Sequence, residues 1–243
     1  MSTPRLLRAE SRNVSKIYGR HRALHKVSVT LERGRVTALL GPNGSGKTTL
    51  LSLFSTLSRP TSGTMHFDDL PPAKAKLARG AIGLLSHAAL TYGELSAREN
   101  VALFGRLSGT TNPEETATKL LLEFGLEDAM DRPARTFSRG MLQRLGLARA
   151  LVSNPSLVLL DEPFTGLDRA STERVVTKVA ELRDAGAIVL LVSHDLGITA
   201  ELADDVAILV RGKLAHRQAG RLGTDGFRDL YTSVVEAPKE ARA

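Results

Sequence analysis

No cysteine occurs among the 243 residues, which excludes disulfides, thiolate metal sites and a cysteine nucleophile. Long apolar runs are missing too. Stretches such as Ala187 to Val192 fall far short of the roughly 20 residues a helix needs to cross a bilayer, so any membrane contact is expected to come through a partner. The opening MSTPRLLRAE has no sustained apolar core behind its charges; it does not read as a secretory signal, and a cytoplasmic location is expected. Internal repeats and low-complexity linkers are absent, and so is any long basic run, although 33 Lys and Arg stand against 26 Asp and Glu for a net charge of +7. That balance suits nucleic acid, anionic lipid or phosphate-bearing ligands, or simply a diffusely basic surface.

What is present fits a folded chain: 42% apolar and 24% charged residues are near the globular average. The length suits one large α/β unit spanning 1–243 with a helical insertion. Alternation around Lys26 to Leu31 and the apolar Val36 to Leu40 predict strands. The residues after Lys47 have helical spacing, stopped by Arg59-Pro-Thr-Ser-Gly63. From Ser96 to Asn154 the pattern is helical, with Glu99 to Leu107, a segment opened by Pro113, and Met141 to Val152. Strand-like runs return at Leu157–Leu160, Ile188–Val192 and Val206–Val210, separated by helical stretches in the order of parallel βαβ units. The expected division is a core of 1–85 and 155–220, a helical subdomain of about 86–154, and a C-terminal helix and tail at 221–243, with Phe227 to Val235 amphipathic.

Gly41-Pro42-Asn43-Gly44-Ser45-Gly46-Lys47-Thr48-Thr49 matches the full P-loop pattern and stands between a predicted buried strand and a helix start. Glycines let backbone N–H groups turn around phosphate oxygens, and the helix N-terminus adds its own donors and dipole. Lys47 is expected to neutralise the β and γ phosphates, and Thr48 to offer its hydroxyl to Mg²⁺. The plainer alternative is a glycine turn that merely joins strand to helix. Further on, the apolar Ser156–Leu160 ends in Asp161-Glu162-Pro163, two carboxylates at the C-terminal end of a strand, where α/β sheets bind ligands. Asp161 is expected to hold Mg²⁺ through its water shell, and Glu162 to polarise the water that attacks the γ phosphorus. Otherwise the pair would be helix-capping loop carboxylates. His194, at the end of the run Ile188 to Val192, falls on the same sheet edge, either contacting the γ phosphate or serving as an ordinary polar loop residue.

Phe137-Ser138-Arg139-Gly140-Met141-Leu142-Gln143-Arg144 precedes Asp161, and here the chain resembles the ABC ATPase family, from Tyr18 to His194. The segment looks like a variant of that family's LSGGQ signature, matching at Ser138, Gly140, Gln143 and Arg144 and departing at Phe137, Arg139 and Met141. The resemblance implies an α/β P-loop NTPase fold of the ABC type, with a mixed sheet, an antiparallel part and an inserted helical subdomain. It also implies ATP and Mg²⁺ as ligands, a homodimer packed head to tail, and separate transmembrane permease subunits at the inner face of the cell membrane. Ser138 and Gly140 of one copy would cover the ATP of the other, with Asp168 across the interface; Ser138 also reads as a helix N-cap. Tyr18 matches the family's adenine-stacking aromatic, its alternative being core packing. His87 stands where the family usually has a glutamine at Mg²⁺; imidazole is a poorer partner for magnesium, so His87 is expected to act through water or in coupling to the permease. Leu85-Ser-His87, Gly93 to Asn100, Phe137 to Met141 and Pro163 to Asp168 together are similar to the ATPase of the bacterial haem exporter of cytochrome c maturation. Drug, lipid or polysaccharide exporters are the alternative. A soluble ABC ATPase on nucleic acid fits less well, since such relatives carry two cassettes or coiled-coil insertions, and no direct nucleic-acid contact is expected. A P-loop kinase would have no use for the signature segment.

Overall fold

Two sheets organise the chain, and the computed structural model describes residues 5–68, 70, 72–86 and 90–235 of it. The antiparallel sheet has the order β2 (His21–Glu32), β1 (Arg8–Tyr18), β4 (Ser62–Phe67). The second runs β5 (Ile82–Leu85), β6 (Leu157–Asp161), β7 (Ile188–Val192), β3 (Arg35–Leu40), β8 (Asp205–Val210), β9 (Lys213–Ala219). Its first five strands are parallel and β9 is antiparallel to β8. The helices are α1 (Lys47–Phe54), α2 (Ala97–Leu107), α3 (Pro113–Glu123), α4 (Arg139–Leu151), α5 (Arg169–Asp184), α6 (Leu196–Leu202) and α7 (Thr224–Val235). No helix among the described residues is long and apolar enough to cross a membrane.

β6 and β7 are continuous apolar runs because both faces of a parallel sheet are covered. Val158, Leu160, Val189 and Leu191 pack into a core with Val101, Phe124 and Leu145 of the helical part. The alternate residues Leu157, Leu159, Ile188 and Leu190 meet Leu50, Leu53 and Phe54 of α1, with Val14, Leu24 and Val27 of the antiparallel sheet. A third cluster joins β3 and β8 to Phe227 of α7. Each full burial of such a side chain contributes about 1.5–3 kcal/mol. The sheet order brings the C-terminal ends of β3, β6 and β7 side by side, so the residues that follow these three strands form one edge.

The helical stretch 96–154 contains α2, α3 and α4 with short 3₁₀ turns between them. Ser96 and Glu99 open α2 as a reciprocal capping box. β4, β5, β9 and a 3₁₀ segment at Pro72–Ala81 were not marked by the sequence pattern. The turn signals at Arg59–Gly63 overlap the start of β4. β9 has no fully buried residue and hence no apolar run to betray it.

Candidate active site

The glycine loop leaves β3 at Leu40 and enters α1 at Lys47. It is wedged between neighbours. A Cβ on Gly41 (φ 144°) would lie 2.1 Å from the Leu209 carbonyl oxygen, and one on Gly46 (φ 104°) would lie 2.7 Å from that of Ala23. Only glycine permits both the backbone angles and the approach. Gly212, in the β8–β9 turn, donates its N–H to the Ser45 carbonyl at 3.0 Å and braces the loop from outside. The Ser45 hydroxyl is buried with no hydrogen-bond partner among the described residues, a polar group that a phosphate oxygen would satisfy.

Lys47 donates from Nζ to the carbonyls of Gly41 (2.7 Å) and Pro42 (3.1 Å). Burial lowers its pKa, while Glu162 and Asp161 pull it upward. The Thr48 hydroxyl donates to Asp161 Oδ2 at 3.4 Å, so the first turn of α1 and the last residue of β6 bring together the oxygen ligands that suit a hard cation.

Glu162 follows β6 with a left-handed backbone, φ 54°, uncommon for a residue with a side chain. Its N–H donates to the Val192 carbonyl (2.8 Å) and its own carbonyl accepts from Gln143 Nε2 (2.9 Å). The carboxylate accepts the His194 N–H at 3.3 Å, and His194 Nε2 lies 3.3 Å from the other oxygen. Burial raises the Glu162 pKa and Asp161 adds to that, against the pull of His194 and Lys47.

These groups line one cleft of about 580 Å³, within the range of small-ligand sites. Tyr18, at the end of β1 and half exposed, forms part of the wall, with Lys16 Nζ 4.9 Å from its ring centre. Of the residues expected from sequence, Tyr18, Asn43 to Thr49, Asp161, Glu162 and His194 meet here, while Gly41 and Pro42 supply carbonyls behind the lysine. His21, Ala23, Thr165 and Val192 also line the cleft and carried no sequence signal of their own. Gln143, a match to the signature in sequence, holds the backbone carbonyl of Glu162, nineteen residues away.

Ser138, Gly140 and Asp168 are not among the lining residues. Ser138 caps α4, accepting from the Met141 N–H at 3.3 Å. Asp168 caps α5, accepting from Ser171 N–H at 2.7 Å, a bond that lowers its pKa. A Cβ on Gly140 would lie 2.7 Å from the Gly166 carbonyl oxygen, so the signature segment and the Thr165–Asp168 loop are in direct contact. His87 lies outside the described residues.

Residues 24–165 match the family model described as ABC transporter. The chain is 36% identical over 248 residues to the daunorubicin/doxorubicin resistance ATP-binding protein DrrA of Streptomyces peucetius, an alignment that spans all of this chain and 75% of that protein. It is 33% identical over 223 residues to the lantibiotic transport ATP-binding protein SrtF of Streptococcus pyogenes, spanning 92% of this chain and 95% of the other. A dimeric ATP-binding cassette in a post-hydrolysis state, bound to ADP and Pi, superposes with a TM-score of 0.80 at 27% identity, covering 88% of this chain and 99% of that one. With a family match through the phosphate loop and the paired carboxylates, and relatives at least 33% identical of which three quarters or more is covered, this chain belongs to the ABC transporter family as an ATP-binding subunit, an ATPase that uses ATP with Mg²⁺.

Proposed function

We propose that the chain powers a membrane exporter as one of two identical ATPase subunits beneath separate permease subunits, on the cytoplasmic face of the membrane. One observation carries this reading: the cleft has a phosphate loop, a Thr48–Asp161 oxygen pair suited to a cation and the half-buried carboxylate of Glu162, while the capped, glycine-containing start of α4 lies outside it. A second anion grip that does not serve its own cleft suits the cleft of a second copy. A two-fold arrangement supplies both sites at once.

In this reading Gly41 to Thr49 cradle the phosphates and Lys47 neutralises the β and γ groups. Thr48 and Asp161 hold Mg²⁺, which when bound offsets charge across those phosphates. Glu162 takes a proton from the attacking water, and His194 orients its carboxylate beside the γ phosphate. Tyr18 stacks on adenine. Ser138 and Gly140 close over the partner copy's ATP, with Asp168 beside them. ATP favours the closed pair only through contacts absent from the open one, and hydrolysis removes them. His87 acts through water or in coupling to the permease.

The relatives are named for drug resistance and lantibiotic transport, which favours a drug-like or peptide cargo. The narrower haem reading rests on the sequence segments alone.

The test is to hold the Glu162→Gln variant with ATP in native membranes and identify what co-purifies. Turnover should fall by about 100-fold or more while ATP stays bound and multi-span permease subunits accompany the chain. Haem absorbance with cytochrome maturation factors would select the haem cargo, and an unrelated permease the drug or peptide class. Parental turnover would reject Glu162 as the base. Recovery of soluble or nucleic-acid partners alone would reject the exporter.

A further inference from the structure

Immediately outside the nucleotide cleft lies a second groove, of about 450 Å³, lined by Ile17, Arg20, Arg22, His25, Arg211 and Lys213. Four of its six residues carry fixed positive charge, and none carries negative charge. The four cations come from three places in the fold: Arg20 from the β1–β2 turn, Arg22 from the start of β2, and Arg211 and Lys213 from the β8–β9 turn and the first residue of β9. Arg20, Arg22, Arg211 and Lys213 are exposed, and no carboxylate among the described residues pairs with any of them. Other surface arginines do meet acids, as Arg8 and Arg12 meet Glu10 and Arg98 meets Asp131. In the groove the nearest polar partner is a weak one, Arg22 Nη1 at 3.5 Å from His25 Nδ1. Partial loss of water lowers the His25 pKa, and the charges that lower it further are all cations: Arg22, Lys213 and Lys26.

The backbone holds this concentration of charge in place. The His25 N–H donates to the Gly212 carbonyl at 2.7 Å, tying β2 to the β8–β9 turn. Arg211 itself is set in the left-handed region, φ 50°, a conformation rare for a residue with a side chain. Like charges clustered on a fixed frame repel one another, and an anion relieves that repulsion. Three guanidinium forks suit oxyanions through paired N–H bonds. A phosphate offers three strong acceptor oxygens, which matches donors arriving from three directions better than the two oxygens of a carboxylate do. No Phe, Tyr or Trp lines the groove, so it lacks the large stacking platform on which single-stranded nucleic acid is usually held.

We propose that this groove is a second phosphate site, separate from the nucleotide cleft, for a compact ligand with at least two clustered phosphate charges. The same Gly212 that bonds His25 also donates to Ser45 of the phosphate loop, so a ligand there sits one residue from the machinery that grips ATP.

Calorimetric titration with inorganic tripolyphosphate tests this, with the nucleotide cleft first saturated by Mg²⁺ and a non-hydrolysable ATP analogue so that the phosphate loop does not report. The intact chain should bind one tripolyphosphate. The double variant Arg22→Gln/Arg211→Gln should lose about tenfold or more in affinity while keeping its melting temperature. Lys119→Gln/Arg228→Gln, which removes the same charge from exposed positions on α3 and α7, should bind as the intact chain does. Should the double variant melt early, Lys213→Gln repeats the reading with one exposed side chain. Binding to cardiolipin vesicles, whose headgroup carries two phosphates, that tripolyphosphate displaces assigns the ligand to lipid headgroups; tripolyphosphate binding without vesicle binding assigns it to a free phosphate compound. Equal affinity in the groove and control variants overturns the proposal, as does binding of RNA but not tripolyphosphate.

Discussion

Glu162 is held by bonds that do not depend on its side chain, from its N–H to Val192 and from Gln143 to its carbonyl, and its carboxyl is then aimed at a half-buried place. Burial raises its pKa above the ordinary 4.5. A general base must be ionised, so turnover should fall on the acid side at a pH above the usual glutamate range, and a pH–rate profile of kcat checks this. The same shift has a stability cost of definite sign. The folded state binds this proton more tightly than the unfolded chain, so stability declines as pH rises through the window between the two pKa values and stays lower above it. Glu162→Gln removes that cost, and at neutral pH it should melt no lower than the parent in calorimetry. At this scale the sequence was most legible where function is local. Lys47, Thr48, Asp161 and Glu162 stand in short runs with their own chemistry, whereas His21 and Ala23 take their places only because the fold lays the start of β2 beside the phosphate loop.

α4 begins at the cap made by Ser138, and that helix also carries Gln143 to Glu162 and Arg144 to the carbonyls of Phe124 and Gly125. Loss of a cap costs about 1 kcal/mol. Two substitutions separate capping from phosphate contact. Ser138→Ala should lower the melting temperature and ATP turnover together. Ser138→Asp should restore melting, since aspartate caps well, yet leave turnover low because its charge opposes a phosphate. Recovery of both would confine Ser138 to the cap. A second element-level tie joins β3 to β8, where Arg35 grips Asp205 through two bonds of 2.6 and 2.7 Å. Burial alone would raise the Asp205 pKa, but the Arg35 fork and the Gly220 N–H hold it below 3.8. Stability from this pair is therefore complete above 3.8 and is lost as pH falls through the lower folded value. With solvent screening, Asp205→Asn should cost about 1 kcal/mol at pH 7, measured by denaturant unfolding, and little at strongly acid pH. Elements with continuous apolar runs, such as β6 and β7, were readable from sequence. β9 and β4 were not, because an edge strand with alternating half-exposed residues and a strand that begins inside a turn motif leave no hydrophobic signature.

At the level of the whole molecule, the capped start of α4 lies outside the nucleotide cleft, so on the proposed reading activity should follow pairing. In sedimentation, Glu162→Gln should form dimers with ATP and remain a monomer without nucleotide, and adding Ser138→Asp should abolish the ATP-dependent dimer. Dimers that form equally without ATP would separate pairing from the phosphate grip. The six-stranded sheet also has an open edge at β9. Exposed along that strand are Lys213 and Arg217, the latter reaching back to the Thr30 carbonyl at 3.2 Å. If two such edges met, their unpaired backbone groups would match but their cations would face one another, and an edge of that kind resists joining a neighbour's sheet. A strand that contributes little to the core thereby keeps a crowded population of these subunits from growing into ribbons.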